Sequence, residues 1–158
     1  MPSHFVRRPA LRFPRATYGD VNAVFFVTTC VLNRERAFEN KGLALATMAI
    51  IRERAQLHDV DVHAFCIMPD HAHLVLRASP SCDVVDFVAQ VKGLSARASW
   101  SFDRRGALWQ PSFWDRRLRD ADEVKLTAEY VIANPVRARL VANPSEYPFR
   151  GGSVLEHA

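Results

Sequence analysis

Cysteine is scarce in this chain of 158 residues, which has three, at positions 30, 66 and 82. Their number is odd and no pair has the CxxC spacing, so a disulfide framework is not expected and reduced thiols in a cytosol are. Cys66 alternates with Ala64 and Met68 and reads as core packing. No window approaches eighteen uninterrupted apolar residues, so no membrane span is expected. The basic start, "MPSHFVRRPALRFPRATYGD", is broken by prolines and has no apolar signal core after its arginines. It reads as a loosely structured N-terminal arm, residues 1–20, on a cytoplasmic protein. Internal repeats and low-complexity tracts are absent as well.

The length fits one compact domain with an ordinary core. A hydrophobic fraction of 49% and a charged fraction of 24% are globular values. Lysine and arginine outnumber the acids 21 to 17, a net charge of +4, which alone says little about partners. The distribution says more. In "VKGLSARASWSFDRRGALWQPSFWDRRLRD", Lys92, Arg97, Arg104, Arg105, Arg116, Arg117 and Arg119 lie among Trp100, Phe102, Trp109, Phe113 and Trp114. Guanidinium groups track phosphates and flat rings stack on unpaired bases. Core aromatics beneath a solvated basic face would give the same pattern, and the two readings stay open here.

Periodicity orders the elements. "VNAVFFVTTCVL" (21–32) is rich in Val, Phe and Thr and reads as a buried strand. "NKGLALATMAIIRERAQLHD" (40–59) has helical spacing and helix-favouring alanines. "VDVHAFCIM" (60–68) places Val60, Val62, Ala64, Cys66 and Met68 on one face of a second strand. "PD" at 69–70 signals a turn into a third strand, "HAHLVLRA" (71–78). A helix over 82–105 follows, capped by Asp83 and weakened at Gly93, and "ALWQPSFWDRRLRD" reads as short strands or extended loop. The helix over 120–135 is capped by Asp120 or Asp122 and stops at Asn134, before Pro135. A tail, 151–158, frays after a last apolar turn. The expected class is α+β: a ferredoxin-like split β-α-β, with helices packed on an antiparallel sheet in a single domain over 21–150.

Two histidines at the mouth of the third strand call for an explanation. Residues two apart on a strand point to one face, about 6–7 Å apart along the chain, so His71 and His73 can converge on one ion. Two imidazoles leave coordination positions open for water or substrate, which suits an exposed Lewis acid. Two partly exposed histidines at a strand start would look the same, and a zinc site drawing in Cys66 or His63 is a further option. In "AEYVIANP", Tyr130 and Asn134 are four apart and share a helix face. Asn134 can offer an amide oxygen as a third ligand, which would set Tyr130 beside the metal. A nearby cation would stabilise its phenolate and polarise a phosphate oxygen. An ordinary core tyrosine is the competing reading.

Taken together, "VHAFCIMPDHAHLVL", "LWQPSFWDRRL", "YVIANPVRARLV" and "YPFRGGS" give the chain a pattern that resembles the REP-associated tyrosine transposases. These are a branch of the single-tyrosine HUH transposases of bacterial insertion sequences. The resemblance runs from about Val21 to about Ser153. It implies an HUH-endonuclease fold with a divalent metal, Mg2+ or Mn2+, on His71, His73 and Asn134, and Tyr130 as the nucleophile. The implied reaction nicks single-stranded DNA through a 5′-phosphotyrosine and rejoins strands by reversal. The implied partner is single-stranded or hairpin DNA of REP-like palindromes, bound by a monomer or a homodimer. Two positions depart from the pattern: Ala72 is smaller than the usual residue between the histidines, and Arg139 stands where relatives often carry glycine. A hairpin-binding protein that has lost transposition, another HUH nickase and an RNA-binding ferredoxin-like module are the alternatives. Absence of a helicase or second domain counts against the nickase, and histidines on the sheet face count against the RNA module.

Overall fold

The structure, a computed structural model, describes residues 11–156. In chain order it contains α1 (Arg15–Tyr18), β1 (Val24–Cys30), α2 (Lys41–His58), β2 (Asp61–Met68), β3 (His71–Arg77) and α3 (Val84–Ser99). β4 (Trp114–Leu118), α4 (Ala121–Arg137), β5 (Arg150–Gly151) and α5 (Ser153–Glu156) complete it. The strands form one sheet ordered β4-β1-β3-β2-β5, with every neighbouring pair antiparallel. β1 and β2 are thus separated by β3, which is the split β-α-β arrangement expected above. No described helix is long and apolar enough to cross a membrane.

Local chemistry sets most boundaries. Asn40 opens α2 by accepting the Leu43 N–H at 3.1 Å, and Asp59 closes it in the left-handed conformation. Asp83 caps α3 through the Asp86 N–H at 2.7 Å. Of the two candidate caps of α4, Asp120 does the work, accepting the Glu123 N–H at 2.8 Å. Each cap satisfies an N–H that has no partner inside its helix. Gly93 does not break α3, because it lies exposed with open space around it.

Register divides the side chains between two faces. Phe25, Val27, Phe65, Leu74 and Leu76 point toward α2 and α3, and the Arg52 guanidinium of α2 lies 5.6 Å from the Phe65 ring centroid. Phe26, Thr28, Cys66, His71 and His73 point the other way, toward α4. Ala72 falls on the α2 face, away from the histidines, as expected.

Four expectations need correction. Val62 does not share a face with Ala64, Cys66 and Met68, because a β-bulge between Val62 and Ala64 shifts the register. α4 does not stop at Asn134: it runs through Pro135 to Arg137. A proline removes one rung of the ladder, but Pro135 is buried against the body, and Ala138 and Leu140 still bond to the carbonyls of Asn134 and Pro135, both at 2.9 Å. Residues 1–10 of the expected arm lie outside the described residues, and the remainder is not loose. Tyr18 is fully buried and donates to Asp115 Oδ2 at 3.0 Å, while Arg15 pairs with Asp83 and Asp86 at 2.8 and 2.7 Å. The tail does not fray at 151 either, since β5 pairs with β2 at Phe65–Gly151 and Cys66–Arg150. Gly152 has φ +116°, and a Cβ there would sit 2.5 Å from the His63 carbonyl oxygen. Only glycine allows that approach.

Candidate active site

β3 brings His71 and His73 to the centre of the sheet, one pleat apart on the α4 face. Their Nε2 atoms converge to 3.1 Å. Each ring is oriented through its other nitrogen: His71 Nδ1 meets Asp70 Oδ1 at 2.6 Å, and His73 Nδ1 meets Thr28 Oγ1 at 2.8 Å. Such partners fix ring orientation at metal centres. Two nitrogens bound to one ion at about 2.1 Å and near a right angle are themselves about 3 Å apart. The pair therefore fits a shared divalent ion. Burial, then the charges of His71, Arg137 and Arg34, push His73 down from 6.5 to about 3, so its ring is neutral and able to act as a ligand. Burial raises the Asp70 carboxyl, but the His71 hydrogen bond and the charges of His71 and Arg34 outweigh it and hold Asp70 below the ordinary carboxylate range. Arg34 braces it at 3.1 Å.

Cys66 lies on this face but is withdrawn from it: it is buried, its Sγ is 3.7 Å from Met68 Sδ, and burial pushes its thiol up to about 12. His63 lies at the bulge, with its Nε2 3.5 Å from Asp61. Among the described residues no group of three His, Cys, Asp or Glu side chains gathers at a common point. The zinc option drawing on Cys66 or His63 has no such group to support it.

Tyr130 is about half exposed on α4. Its ring packs edge-on to Phe26 with centroids 6.3 Å apart, and Phe26 in turn lies 5.3 Å from the His73 ring. A single aromatic thus separates tyrosine from histidine. Asn134, one turn further along α4, is half-buried. Arg137 lies one more turn along: its guanidinium carbon is 3.6 Å from the Tyr130 ring centroid, and it donates to the Tyr130 carbonyl and, at 3.5 Å, to Asn134 Oδ1. A shallow cleft of about 340 Å³ opens beside the tyrosine, lined by Phe26, Arg116, Glu123, Leu126, Thr127 and Tyr130.

The basic-aromatic segment divides. Trp109 is buried, donates to Ser95 Oγ at 2.8 Å and packs on Phe38. The Lys92 ammonium donates to the carbonyls of Gln110 and Ser112 at 2.7 and 2.6 Å. Both hold α3 to the segment that follows. Trp114 is half exposed and meets Phe26 edge-on at 5.5 Å. Arg116 shares its face and pairs with Glu123 at 3.1 Å, as does Arg119 at 3.2 Å. Arg117 points to the opposite face and meets Asp20 at 3.5 Å. Arg104 pairs with Glu35 at 2.9 Å, while Arg97 and Arg105 are exposed. Phe26, Thr28, Asp70 and Arg137 escaped the reading of the sequence. Phe26 and Thr28 looked like strand filler and Asp70 like a turn residue, and for Arg137 the signal was its spacing of seven from Tyr130 on one helix.

The split β-α-β sheet carries paired histidines on its central strand, and family and relatives place the chain among transposases, enzymes that cleave DNA and transfer its strands. A solved structure of a REP-associated tyrosine transposase bound to a REP hairpin has this fold: its TM-score is 0.71 at 19% identity, over 89% of this chain and 81% of that one. The chain belongs to the IS200-like transposase family, whose model matches residues 22–133. It is 22% identical to the REP-associated tyrosine transposase of Escherichia coli (strain K12), over 79% of this chain and 73% of that protein. It is also 37% identical to the ISDra2 transposase TnpA of Deinococcus radiodurans, over 40% of this chain and 51% of that one.

Proposed function

We propose that this chain nicks and rejoins single-stranded DNA next to a hairpin, with Tyr130 as nucleophile and His71, His73 and Asn134 as the ligands of a divalent metal, Mg2+ or Mn2+. The observation that carries the reading is the 3.1 Å convergence of the two Nε2 atoms, one aromatic ring away from the exposed Tyr130. The metal, when bound, would act as a Lewis acid on the oxygens of the scissile phosphate. Everything else falls to the side chains. Asp70 and Thr28 hold the imidazoles so that both Nε2 atoms face the same point, and burial keeps His73 uncharged. The Tyr130 oxygen attacks phosphorus and loses its proton to solvent. Its new bond forms as the bond from phosphorus to the 3′ oxygen of the departing strand breaks. That oxygen takes up a proton, leaving a 5′-phosphotyrosine and a free 3′-hydroxyl. Attack by another 3′-hydroxyl reverses the step and restores the phenol, so joining needs no external energy source.

Hairpin DNA is the partner this reading favours, because the REP-associated relative of known structure is bound to one. Half-exposed Trp114, together with Arg116 and Arg119, would meet the strand entering the Tyr130 cleft. The test is a labelled hairpin oligonucleotide with a single-stranded flank, incubated with Mn2+ or Mg2+ and run on a denaturing gel. A covalent adduct is expected with the native chain and none with Tyr130→Phe. Binding without adduct, across metals and substrates, would instead leave a hairpin-binding protein.

A further inference from the structure

Arginines are usually spent on carboxylates or left in solvent. Arg116, Arg117 and Arg119 follow that habit, pairing with Glu123 or Asp20. Arg137 does not. It is exposed, yet its guanidinium carbon lies over one ring, 3.6 Å from the Tyr130 centroid. Its Nη2 serves two oxygens at once, the Tyr130 carbonyl and, more distantly at 3.5 Å, Asn134 Oδ1. Three facts of the chain make this possible. Tyr130, Asn134 and Arg137 are spaced four and three apart, so they form one ridge of α4. α4 continues through Pro135 to Arg137, and without that extra turn the guanidinium would have no fixed relation to the tyrosine. The planar fork then allows stacking and donation together, which a lysine could not do.

We propose that Arg137 is a positioning residue for strand cleavage: it clamps the Tyr130 ring in one rotamer. The inference rests on Tyr130 being the nucleophile. A half-exposed tyrosine on a helix would otherwise sample several side-chain rotamers in solution, and few of them point at a phosphate held beside the histidines. Stacking by Arg137 removes that freedom before DNA arrives. Arg137 touches Tyr130 through its ring face and backbone, and its charge also reaches His73, so the clamp is read in the pose of the ring and the rate together.

Two measurements test this, one of them independent of DNA and metal. The chain has three tyrosines, and Tyr18 and Tyr147 are buried, so incorporation of 3-fluorotyrosine gives a spectrum in which Tyr130→Phe identifies the Tyr130 resonance. Arg137→Ala and Arg137→Lys are each expected to move that resonance and leave the other two in place. In single-turnover adduct formation at saturating hairpin DNA, both variants are expected to be about 10- to 100-fold slower, while hairpin affinity changes less than about five-fold. An unmoved Tyr130 resonance in Arg137→Ala overturns the clamp outright. A moved resonance with an unchanged adduct rate overturns its role in cleavage. Full rescue by Arg137→Lys would show that charge and not the flat fork matters, and overturns it too. A native chain that forms no adduct refutes the nucleophile, and the positioning role falls with it, while the fluorine shift still shows whether the ring is held. A purely structural role would lower the melting temperature and affinity together with the rate, against the expected split.

Discussion

His73 couples the stability of the fold to pH. Its pKa falls from 6.5 to about 3 on folding, chiefly through burial. Between those values the unfolded chain binds a proton that the folded chain refuses, so stability is present above pH 6.5 and is lost as pH falls toward 3. His63, lowered mainly by burial, adds a contribution of the same sign. The melting temperature of metal-free protein is expected to drop steadily between pH 6.5 and 4, with His73 contributing a slope approaching about 1.4 kcal/mol per pH unit. His73→Gln should flatten that slope, and an unchanged slope would show that His73 does not carry it. Arg139 is the opposite kind of residue. It has φ +59°, and side chains with a Cβ occupy the left-handed region at a cost of about 1–2 kcal/mol. Arg139→Gly is expected to stabilise the fold by about 1 kcal/mol, raising the melting temperature by about 2–4 °C in a thermal melt. The residues with distinctive chemistry, His71, His73, Tyr130, Asn134 and Arg139, were legible in the sequence as candidates. Their supports were not. Thr28 becomes a partner of His73 only because β1 pairs with β3 in the register Thr28↔His73, and no local pattern encodes that register.

Elements carry consequences that single residues do not. On β4 the alternation of an edge strand splits two adjacent arginines: Arg116 joins Phe26 and Tyr130 on the α4 face, while Arg117 faces Asp20 on the other side. A phosphate contact by Arg116 alone would make Arg116→Ala weaken hairpin binding and reduce the salt slope by about one. Arg117→Ala should leave both nearly unchanged. Fluorescence-anisotropy titrations over a salt series would decide the matter, and equal effects would place the DNA elsewhere. Helix and strand types were readable because periodicity is local: the β2–β3 hairpin, the caps at Asp83 and Asp120 and the split β-α-β order all follow from neighbours in sequence. The bulge at His63 and the docking of β5 were not, since β5 pairs with a strand far away in sequence and Gly152 passes close to the His63 carbonyl from nearly ninety positions further along the chain. Two glycine substitutions should therefore differ in sign. Gly152→Ala, with a Cβ 2.5 Å from that oxygen and φ +116°, is expected to lose more than about 2 kcal/mol in urea unfolding. Gly93→Ala, in open space on α3, should gain about 0.5–1 kcal/mol.

At the scale of the whole molecule, the question is whether one chain assembles the site or two must share it. α4 follows β4 through only two residues, Arg119 and Asp120, so the helix has little freedom to leave the sheet that precedes it. It is held further by Glu123, which accepts the Arg119 N–H at 2.7 Å and pairs with Arg116 of β4. On the same chain Tyr130 meets Phe26, and Phe26 meets His73. That continuity of rings argues for a site completed in cis. A mixing experiment discriminates: Tyr130→Phe supplies intact histidines without the proposed nucleophile, and His73→Gln supplies that tyrosine beside a damaged pair. If each chain builds its own site, the mixture forms no more phosphotyrosine adduct with hairpin DNA than the two proteins assayed apart, whatever their oligomeric state. If α4 crosses between subunits, a mixed dimer holds one intact combination and adduct formation is restored to a sizeable fraction of the native level. Restoration would mean that the Phe26–Tyr130 contact is broken when DNA is cut, and that α4 swings out on the short Arg119–Asp120 link to serve a second copy of the chain.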